Sequence, residues 1–241
     1  MCSLSVSSGR RGDLPLSSHY WAAATLAVLT WPAFLLDLPV ARLSVGGLAS
    51  GDLRRVLTWS EVFGHGLGVA IIAATILVLD PSRRRQIPRI LASAYLAGLL
   101  ANAAKLVVAR MRPRCFSFHG GVADTFVGWL PLIFGTGVDV PYGSSIQSFP
   151  SGHVATAVGF AVALSRVYPR GRWLFSFLAL FAALQRIDVG AHYVSDTVAA
   201  AAIGFLAGAW VGDPRGLGRF FDLLERRAGE SVADSTPPPV H

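Results

Sequence analysis

Charge is scarce in this chain. Only 15% of its 241 residues are aspartate, glutamate, lysine or arginine, while 53% are hydrophobic. Soluble globular domains carry roughly a quarter charged residues, and the mean hydropathy here is +0.52. The composition therefore excludes an ordinary soluble domain and predicts a protein of the lipid bilayer.

Cysteine and lysine are almost absent as well. The two cysteines, Cys2 and Cys115, offer no metal-site spacing, so a structural metal centre of the zinc-finger type is excluded. Lys105 is the only lysine among 21 basic residues. Arginine therefore supplies nearly all of the positive charge.

Long apolar segments, by contrast, follow one another along the chain. A bilayer core of about 30 Å takes about 20 helical residues. Six stretches are long enough to span it, namely residues 20–40, 62–79, 90–109, 151–168, 173–190 and 194–211. The sequence thus predicts an all-α integral membrane bundle of six helices over residues 19–212. Residues 1–18 form a predicted cytoplasmic segment, and residues 213–241 a cytoplasmic tail that is disordered at its end.

Arginine is distributed unevenly between the two sides of this predicted bundle. Thirteen arginines fall on the side of the termini: Arg10, Arg11, Arg83, Arg84, Arg85, Arg89, Arg166, Arg170, Arg172, Arg215, Arg219, Arg226 and Arg227. Five lie on the other side, outside the polar clusters described next: Arg42, Arg54, Arg55, Arg110 and Arg114. Because positive charge stays cytoplasmic, a multi-pass protein of the inner (cytoplasmic) membrane with both termini inside is predicted. The net charge of +7 then indicates topology and an anion site, and does not favour nucleic-acid binding.

The first polar cluster combines the lone lysine with an arginine. Lys105 and Arg112 would lie about two turns apart if the helix continues to Met111, and Pro113 follows. Fixed cations can neutralise a phosphate dianion and its more negative transition state. Basic side chains at an interface also snorkel without binding anything, and we expect this of Arg110 and Arg114.

The second cluster, Pro150-Ser151-Gly152-His153, comes directly before an apolar stretch. Proline suits the first turn of a helix, and a helix start presents free N–H groups to an anion. Gly152 lets that backbone approach a ligand closely. A plain helix cap by Ser151 or Ser148, with His153 at the surface, would give the same pattern, so this cluster alone is weak.

The third cluster carries the candidate nucleophile. His192 and Asp196 are four residues apart, so they share one face of the last helix. We expect Asp196 to accept the Nδ1–H of His192, which leaves Nε2 free for attack. Arg186 comes before a turn at Gly190 and can reach the same space. An ionisable residue inside an apolar helix is costly, which favours a functional Asp196 over an incidental polar pair.

The order and spacing of these clusters resemble the three motifs of the type 2 phosphatidic acid phosphatase superfamily. That family includes bacterial membrane lipid phosphatases, glucose-6-phosphatase and vanadium haloperoxidases. Its Lys-x6-Arg-Pro motif corresponds to residues 105–113, and its Pro-Ser-Gly-His motif to residues 150–153. Its Ser-Arg-x5-His-x3-Asp motif corresponds to residues 185–196, with Gln185 in place of the leading serine.

The resemblance implies a role for each motif residue. His192 would attack phosphorus and form a phosphohistidine, with Asp196 orienting it. His153 would protonate the leaving oxygen and then activate water. The phosphoryl oxygens would be held by Lys105, Arg112, Ser151, Gly152 and Arg186. No metal and no other cofactor is implied, and the site would face the periplasm or exterior.

The function implied is metal-independent hydrolysis of a phosphomonoester or diphosphate on a membrane lipid. Candidate substrates are phosphatidic acid, phosphatidylglycerol phosphate, an isoprenyl diphosphate and the phosphate of a lipid A. A phosphotransferase that passes the group to an alcohol stays open, because a phosphohistidine does not determine what attacks it. A vanadium haloperoxidase and a non-catalytic transport or binding protein of the same fold are further alternatives.

Two expectations concern residues outside the motifs. The long apolar segment 114–149 is expected to lie over the outer membrane surface and to contact lipid through Phe126, Trp129 and Phe134. Asp188 is expected to tune the charge of nearby Arg186.

Lys105→Arg is expected to impair turnover substantially, because a compact ammonium and a guanidinium fork present their donors differently to phosphate. Arg110→Lys and Arg114→Lys are expected to have little effect. Phosphate release by the purified variants measures the difference. Equal, mild effects at all three positions would mean that only net charge matters at this face.

Overall fold

The computed structural model describes residues 16–138 and 143–234, and its architecture is a helical bundle with a small β ribbon at one end. The helices are α1 (Leu16–Val45), α2 (Gly51–Gly64), α3 (Gly66–Leu79), α4 (Ile87–Lys105), α5 (Pro131–Phe134), α6 (Gly152–Val167), α7 (Arg172–Asp188), α8 (Val194–Gly212) and α9 (Gly218–Asp234). Strands β1 (Val108–Arg110) and β2 (Phe126–Trp129) pair antiparallel. Residues 1–15 and 235–241, which include Cys2 and the end of the predicted tail, lie outside the described residues.

Each predicted apolar stretch contains a helix, but not every helix is long enough to span a bilayer. Within the described ranges, three helical segments qualify by length and composition: Leu16–Val45, Pro81–Lys105 and Val194–Gly212. Helices α2 and α3, bent by 76° at a short break, would make one more span, and α6 is a shorter apolar helix. The all-α membrane fold is confirmed, whereas the count of six spans is not.

Helix α4 ends earlier than the sequence pattern suggested. It stops at Lys105, and the next residues form β1, which pairs Val108 with Trp129 and Ala109 with Gly128. β-Branched valines favour extended backbone, and the β2 strand supplies partners for it. The prediction that Lys105 and Arg112 lie on one helix is therefore wrong, and the two residues reach the same region from different elements.

Helix α6 is the centre of the bundle. It packs against α4, α7 and α8, and its side chains are almost all buried. Small residues permit this closeness: a Cβ built on Gly159 would lie 2.6 Å from the Ser93 carbonyl oxygen, and one on Gly204 would lie 2.6 Å from Val158 Cβ. Such contacts hold membrane helices together where lipid offers no hydrophobic driving force.

The arginine-rich segments collect at the end of the bundle where α6 finishes. The Tyr168 hydroxyl donates to the Asp80 carboxylate at 3.0 Å, which joins the α6–α7 connection to the α3–α4 connection. Arg89 Nε lies 2.8 Å from Glu225 Oε1, which ties the start of α4 to α9. The β ribbon and the start of α6 lie at the opposite end, so basic loops and motif residues are separated along the bundle.

The segment after β1 is folded back on the bundle. Trp129 and Phe134 are exposed, at 66% and 77%, and their contact with lipid stays a prediction. Phe126 differs, because its ring centroid lies 4.6 Å from the guanidinium carbon of Arg110. Its ring packs against a buried cation while the side chain stays partly exposed, and its contact with lipid also stays a prediction.

Candidate active site

The three polar clusters meet at the end of the bundle covered by the β ribbon. Gly152 opens α6 so close to α4 that a Cβ built on it would lie 3.6 Å from Lys105 Nζ. The Ser151 amide donates to the Asp196 carbonyl at 3.2 Å, which joins the start of α6 to α8. Clusters that are distant in sequence thus form one site.

Three cations make up one side of this site: Lys105, Arg112 and Arg186. The Nε of Arg112 is buried and has no hydrogen-bond partner among the described residues. Burial lowers the pKa of Arg112, and the nearby Arg114 and Arg186 lower it further, but an arginine stays protonated at physiological pH. A buried, unpartnered donor beside other cations is an arrangement that an anion satisfies.

Ser151 adds a second unpartnered group. Its side chain is fully buried, and its hydroxyl has no hydrogen-bond partner within residues 16–138 and 143–234. It occupies the N-cap of α6 without making a side-chain capping bond. A buried hydroxyl without a partner is costly, and a phosphoryl oxygen at the helix start would remove that cost.

His192 is buried in the turn between α7 and α8. Its Nδ1 lies 2.6 Å from the Ser148 carbonyl oxygen. Because a carbonyl only accepts, Nδ1 carries the proton and Nε2 keeps its lone pair. Burial lowers the pKa of His192, against the opposing effect of Asp196. The imidazole is therefore neutral near pH 7, as a nucleophile requires.

Asp196 does not contact His192 in the predicted way. Its Oδ2 lies 3.7 Å from Nδ1 of His192, which is too long for a hydrogen bond. That oxygen instead accepts from the Ser148 hydroxyl at 2.6 Å and from the Tyr193 amide at 2.8 Å. The predicted direct bond is wrong: Asp196 holds Ser148, and the Ser148 carbonyl orients the imidazole. No spacing rule singles out Ser148 among the serines before the second motif.

Arg110 is the clearest departure from the sequence-based expectation. It was predicted to snorkel at the interface, yet its side chain is fully buried. Its guanidinium lies 2.6 Å from Asp37 Oδ2 and 2.5 Å from Asp196 Oδ1. Aromatic rings cover it at centroid distances of 4.1, 4.6 and 5.3 Å: Tyr193, Phe126 and Phe34. The sequence did hold a signal in Asp37, since a carboxylate inside an apolar stretch needs a partner.

Asp37 extends this network to a third element. Its carboxylate accepts the Ser195 amide at 2.8 Å and the Ser195 hydroxyl at 2.6 Å. Arg110 also donates to the Ser195 hydroxyl at 2.8 Å and to Thr125 Oγ1 at 3.0 Å. Helix α1, the β ribbon and the start of α8 are therefore joined to one another close to His192.

A carboxylate that no motif predicted lies beside His153. Glu61 Oε1 is 3.1 Å from an Arg186 guanidinium nitrogen and 3.7 Å from His153 Nε2. Glu61 Oε2 accepts from Gln185 Nε2 at 3.1 Å, and Gln185 Oε1 accepts from Arg186 Nε at 2.6 Å. Gln185, which stands in the serine position of the third motif, thus links Arg186 to Glu61.

Asp188 faces away from the site. Its carboxylate accepts from the Ala49 amide at 2.8 Å and lies 3.8 Å from Arg54 Nε. It fastens the connection between α1 and α2 to the end of α7. The expectation that it tunes Arg186 is therefore wrong.

A sequence profile of the PAP2 superfamily matches residues 88–212, just over half of the chain and including all three motifs. The chain belongs to the PAP2 superfamily. Among its relatives, lipid A 1-phosphatase of Rhizobium etli is 36% identical over 109 residues, which are 45% of this chain and 41% of that protein. The chain therefore aligns with less than half the length of this relative.

Two further similarities cover more of the matched protein. Decaprenylphosphoryl-5-phosphoribose phosphatase of Mycobacterium tuberculosis is 33% identical over 155 residues, 64% of this chain and 75% of that protein. The crystal structure of Aquifex aeolicus LpxE superposes with a TM-score of 0.50 at 20% identity, over 72% of this chain and 92% of that one. At this identity, the similarity to LpxE is a similarity of fold.

The burial of Arg110 replaces the sequence-based expectation that Arg110→Lys has little effect. This change is expected to lower thermal stability and turnover together, because one ammonium cannot satisfy both Asp37 and Asp196 with the fork geometry of a guanidinium. Leaving one partner of a buried ion pair uncompensated costs about 3 to 5 kcal/mol. Thermal unfolding in detergent and phosphate release measure the two effects. Arg114→Lys, at an exposed position on the same face, is the matched control. Similar, small effects of both changes would indicate that Arg110 is an interfacial residue, as the sequence predicted, and does not hold the two carboxylates.

Proposed function

We propose that this PAP2 protein hydrolyses a phosphomonoester or diphosphate carried by a membrane lipid, through a phosphohistidine formed on His192. The observation that carries the proposal is a buried imidazole whose Nδ1 is occupied by the Ser148 carbonyl at 2.6 Å. Its other nitrogen is thereby free beside a group of cations. The PAP2 relatives support a lipid phosphate as substrate, since both curated proteins are named as phosphatases of lipid-linked compounds.

Two histidines carry the proposed chemistry. His192 Nε2 attacks phosphorus while the bond from phosphorus to the leaving oxygen breaks. His153 gives that oxygen its proton, then takes one from the water that cleaves the phosphohistidine. Charge on the phosphoryl oxygens is stabilised by groups fixed in the site. Those groups are Lys105, Arg112, Ser151, Gly152 and Arg186. Because they supply the positive charge, the proposed reaction requires no metal ion.

We place the site on the periplasmic or exterior face of the inner (cytoplasmic) membrane. The arginine-rich connections lie at the opposite end of the bundle, where Tyr168 meets Asp80, and positive charge is retained on the cytoplasmic side. The exposed apolar residues Trp129 and Phe134 lie at the site end, where a lipid in the outer leaflet would meet them.

This topology predicts which positions a membrane-impermeant thiol reagent can reach. In a background with Cys2 and Cys115 changed to serine, Thr136→Cys is expected to react in intact cells. Ser82→Cys, in the connection between α3 and α4, is expected to react only after lysis. Labelling in the reverse order would contradict the proposed orientation.

His192→Ala is expected to abolish both turnover and phosphoenzyme formation. His153→Ala is expected to lower turnover about 10² to 10⁴-fold, the usual contribution of general acid–base catalysis. It should still form phosphoenzyme from an activated ester whose leaving group needs no proton. His119→Ala, at an exposed position, is the control. Appreciable activity in His192→Ala would remove the nucleophile from the proposal.

The substrate is identified by phosphate release in detergent with a chelator present. The panel comprises a lipid A, decaprenylphosphoryl-5-phosphoribose, phosphatidic acid, phosphatidylglycerol phosphate and an isoprenyl diphosphate. Release of inorganic phosphate from one or more of these supports a lipid phosphatase. Transfer of the phosphoryl group to an added alcohol, in place of release, would identify a phosphotransferase.

A further inference from the structure

We propose that Glu61 is a positioning residue for His153: its carboxylate favours the protonated form of the imidazole, the form that can protonate the leaving oxygen. The inference rests on the proposed function, and it adds a residue from outside the three motifs. It starts from the placement of Glu61 Oε1 between Arg186, at 3.1 Å, and His153 Nε2, at 3.7 Å.

Close backbone packing brings Glu61 to the site. A Cβ built on Gly64 would lie 2.5 Å from the His153 carbonyl oxygen, so the end of α2 rests directly on the start of α6. Only glycine permits that approach. Glu61 lies about one turn before Gly64 and so shares its helix face. The ring of His65, just past Gly64, is 5.8 Å from the ring of His153.

Burial disfavours a positive His153, and its other charged neighbours disfavour it further. The groups that act on it are Arg186 of α7, His192 before α8, His65 between α2 and α3, and Lys105 of α4. Each is a cation or becomes one on protonation. The carboxylate of Glu61, 3.7 Å from His153 Nε2, is a negative charge that opposes the effect of this positive cluster.

Two hydrogen-bond partners fix the Glu61 carboxylate. Arg186 holds one oxygen, and Gln185 Nε2 donates to the other at 3.1 Å. Gln185 is only 3% exposed and also accepts from Arg186 Nε at 2.6 Å. If the substrate phosphate draws Arg186 toward itself, Gln185 still holds Glu61 in place. The serine that the third motif has at this position is too short to make this link.

The chemical consequence concerns the leaving group. A carboxylate within about 4 to 6 Å of a histidine favours its protonated form. Imidazolium at position 153 can give its proton to a poor leaving group, such as the alkoxide of a lipid. An aryl phosphate with an acidic leaving group does not need this help.

Glu61→Gln preserves the size of the side chain while it removes the charge and leaves one oxygen to accept from Arg186 or Gln185. We expect kcat for the lipid phosphate to fall about tenfold. The alkaline limb of the kcat/KM profile should move about one unit to lower pH, since a general acid without its carboxylate loses its proton sooner. KM should stay constant or fall, because Arg186 is released from its ion pair. Hydrolysis of an activated aryl phosphate should change little, and Glu61→Asp should restore part of the lipid rate.

Asp52→Asn is the matched control, because it removes an exposed carboxylate from the same helix. It should leave both substrates and the pH profile unchanged. Equal loss on lipid and aryl phosphates in Glu61→Gln, with an unmoved alkaline limb, would overturn the proposal and leave Glu61 a structural role.

Histidine NMR of the detergent-solubilised protein separates failure of this inference from failure of the proposed function. The His153 resonance is assigned by its loss in His153→Asn, and its titration is compared between wild type and Glu61→Gln. A titration moved to lower pH supports the inference even if wild type releases no phosphate, a result that would contradict the proposed function alone. An unmoved titration overturns the inference.

Discussion

The structure around the site depends on one guanidinium shared by two carboxylates. Arg110 pairs with Asp37 of α1 and Asp196 of α8 in a fully buried position. Desolvating three charges is expensive, and only near-complete hydrogen bonding offsets the cost. Ser195 and Thr125 supply the remaining contacts. The Ser148 carbonyl that orients the His192 imidazole is attached to this group, since Asp196 is both the partner of Arg110 and the anchor of Ser148.

The two histidines occupy environments that differ in solvent access. The side chain of His192 is 3% exposed and sits against the buried network, whereas that of His153 is 34% exposed and faces a half-exposed carboxylate. The proposed nucleophile benefits from a fixed, dry position, and the proposed acid, which later activates water, must be reached by water. One small site thus holds a buried, fixed imidazole at His192 and a solvent-accessible imidazole at His153.

The sequence predicted the candidate-site residues that belong to the three motifs. It did not predict those that helix packing brings to the site. Lys105 and Gly152 were identified because phosphate chemistry demands a cation and a bare helix start at set positions. Glu61 and Ser148 were missed, since neither has a fixed spacing from any motif and both arrive through contacts between distant helices. The helical class followed from hydropathy alone, but α4 ended early because strand pairing competed with helix continuation.

The long sequence separation within the buried charge group bears on biosynthesis. Arg110 lies 73 residues from Asp37 and 86 from Asp196. Asp37 enters the bilayer with α1, and its full set of partners exists only after α8 has been inserted. Until then, the nascent chain exposes uncompensated charge to lipid. These three charges are consequently compensated only when the elements that form the candidate site have come together.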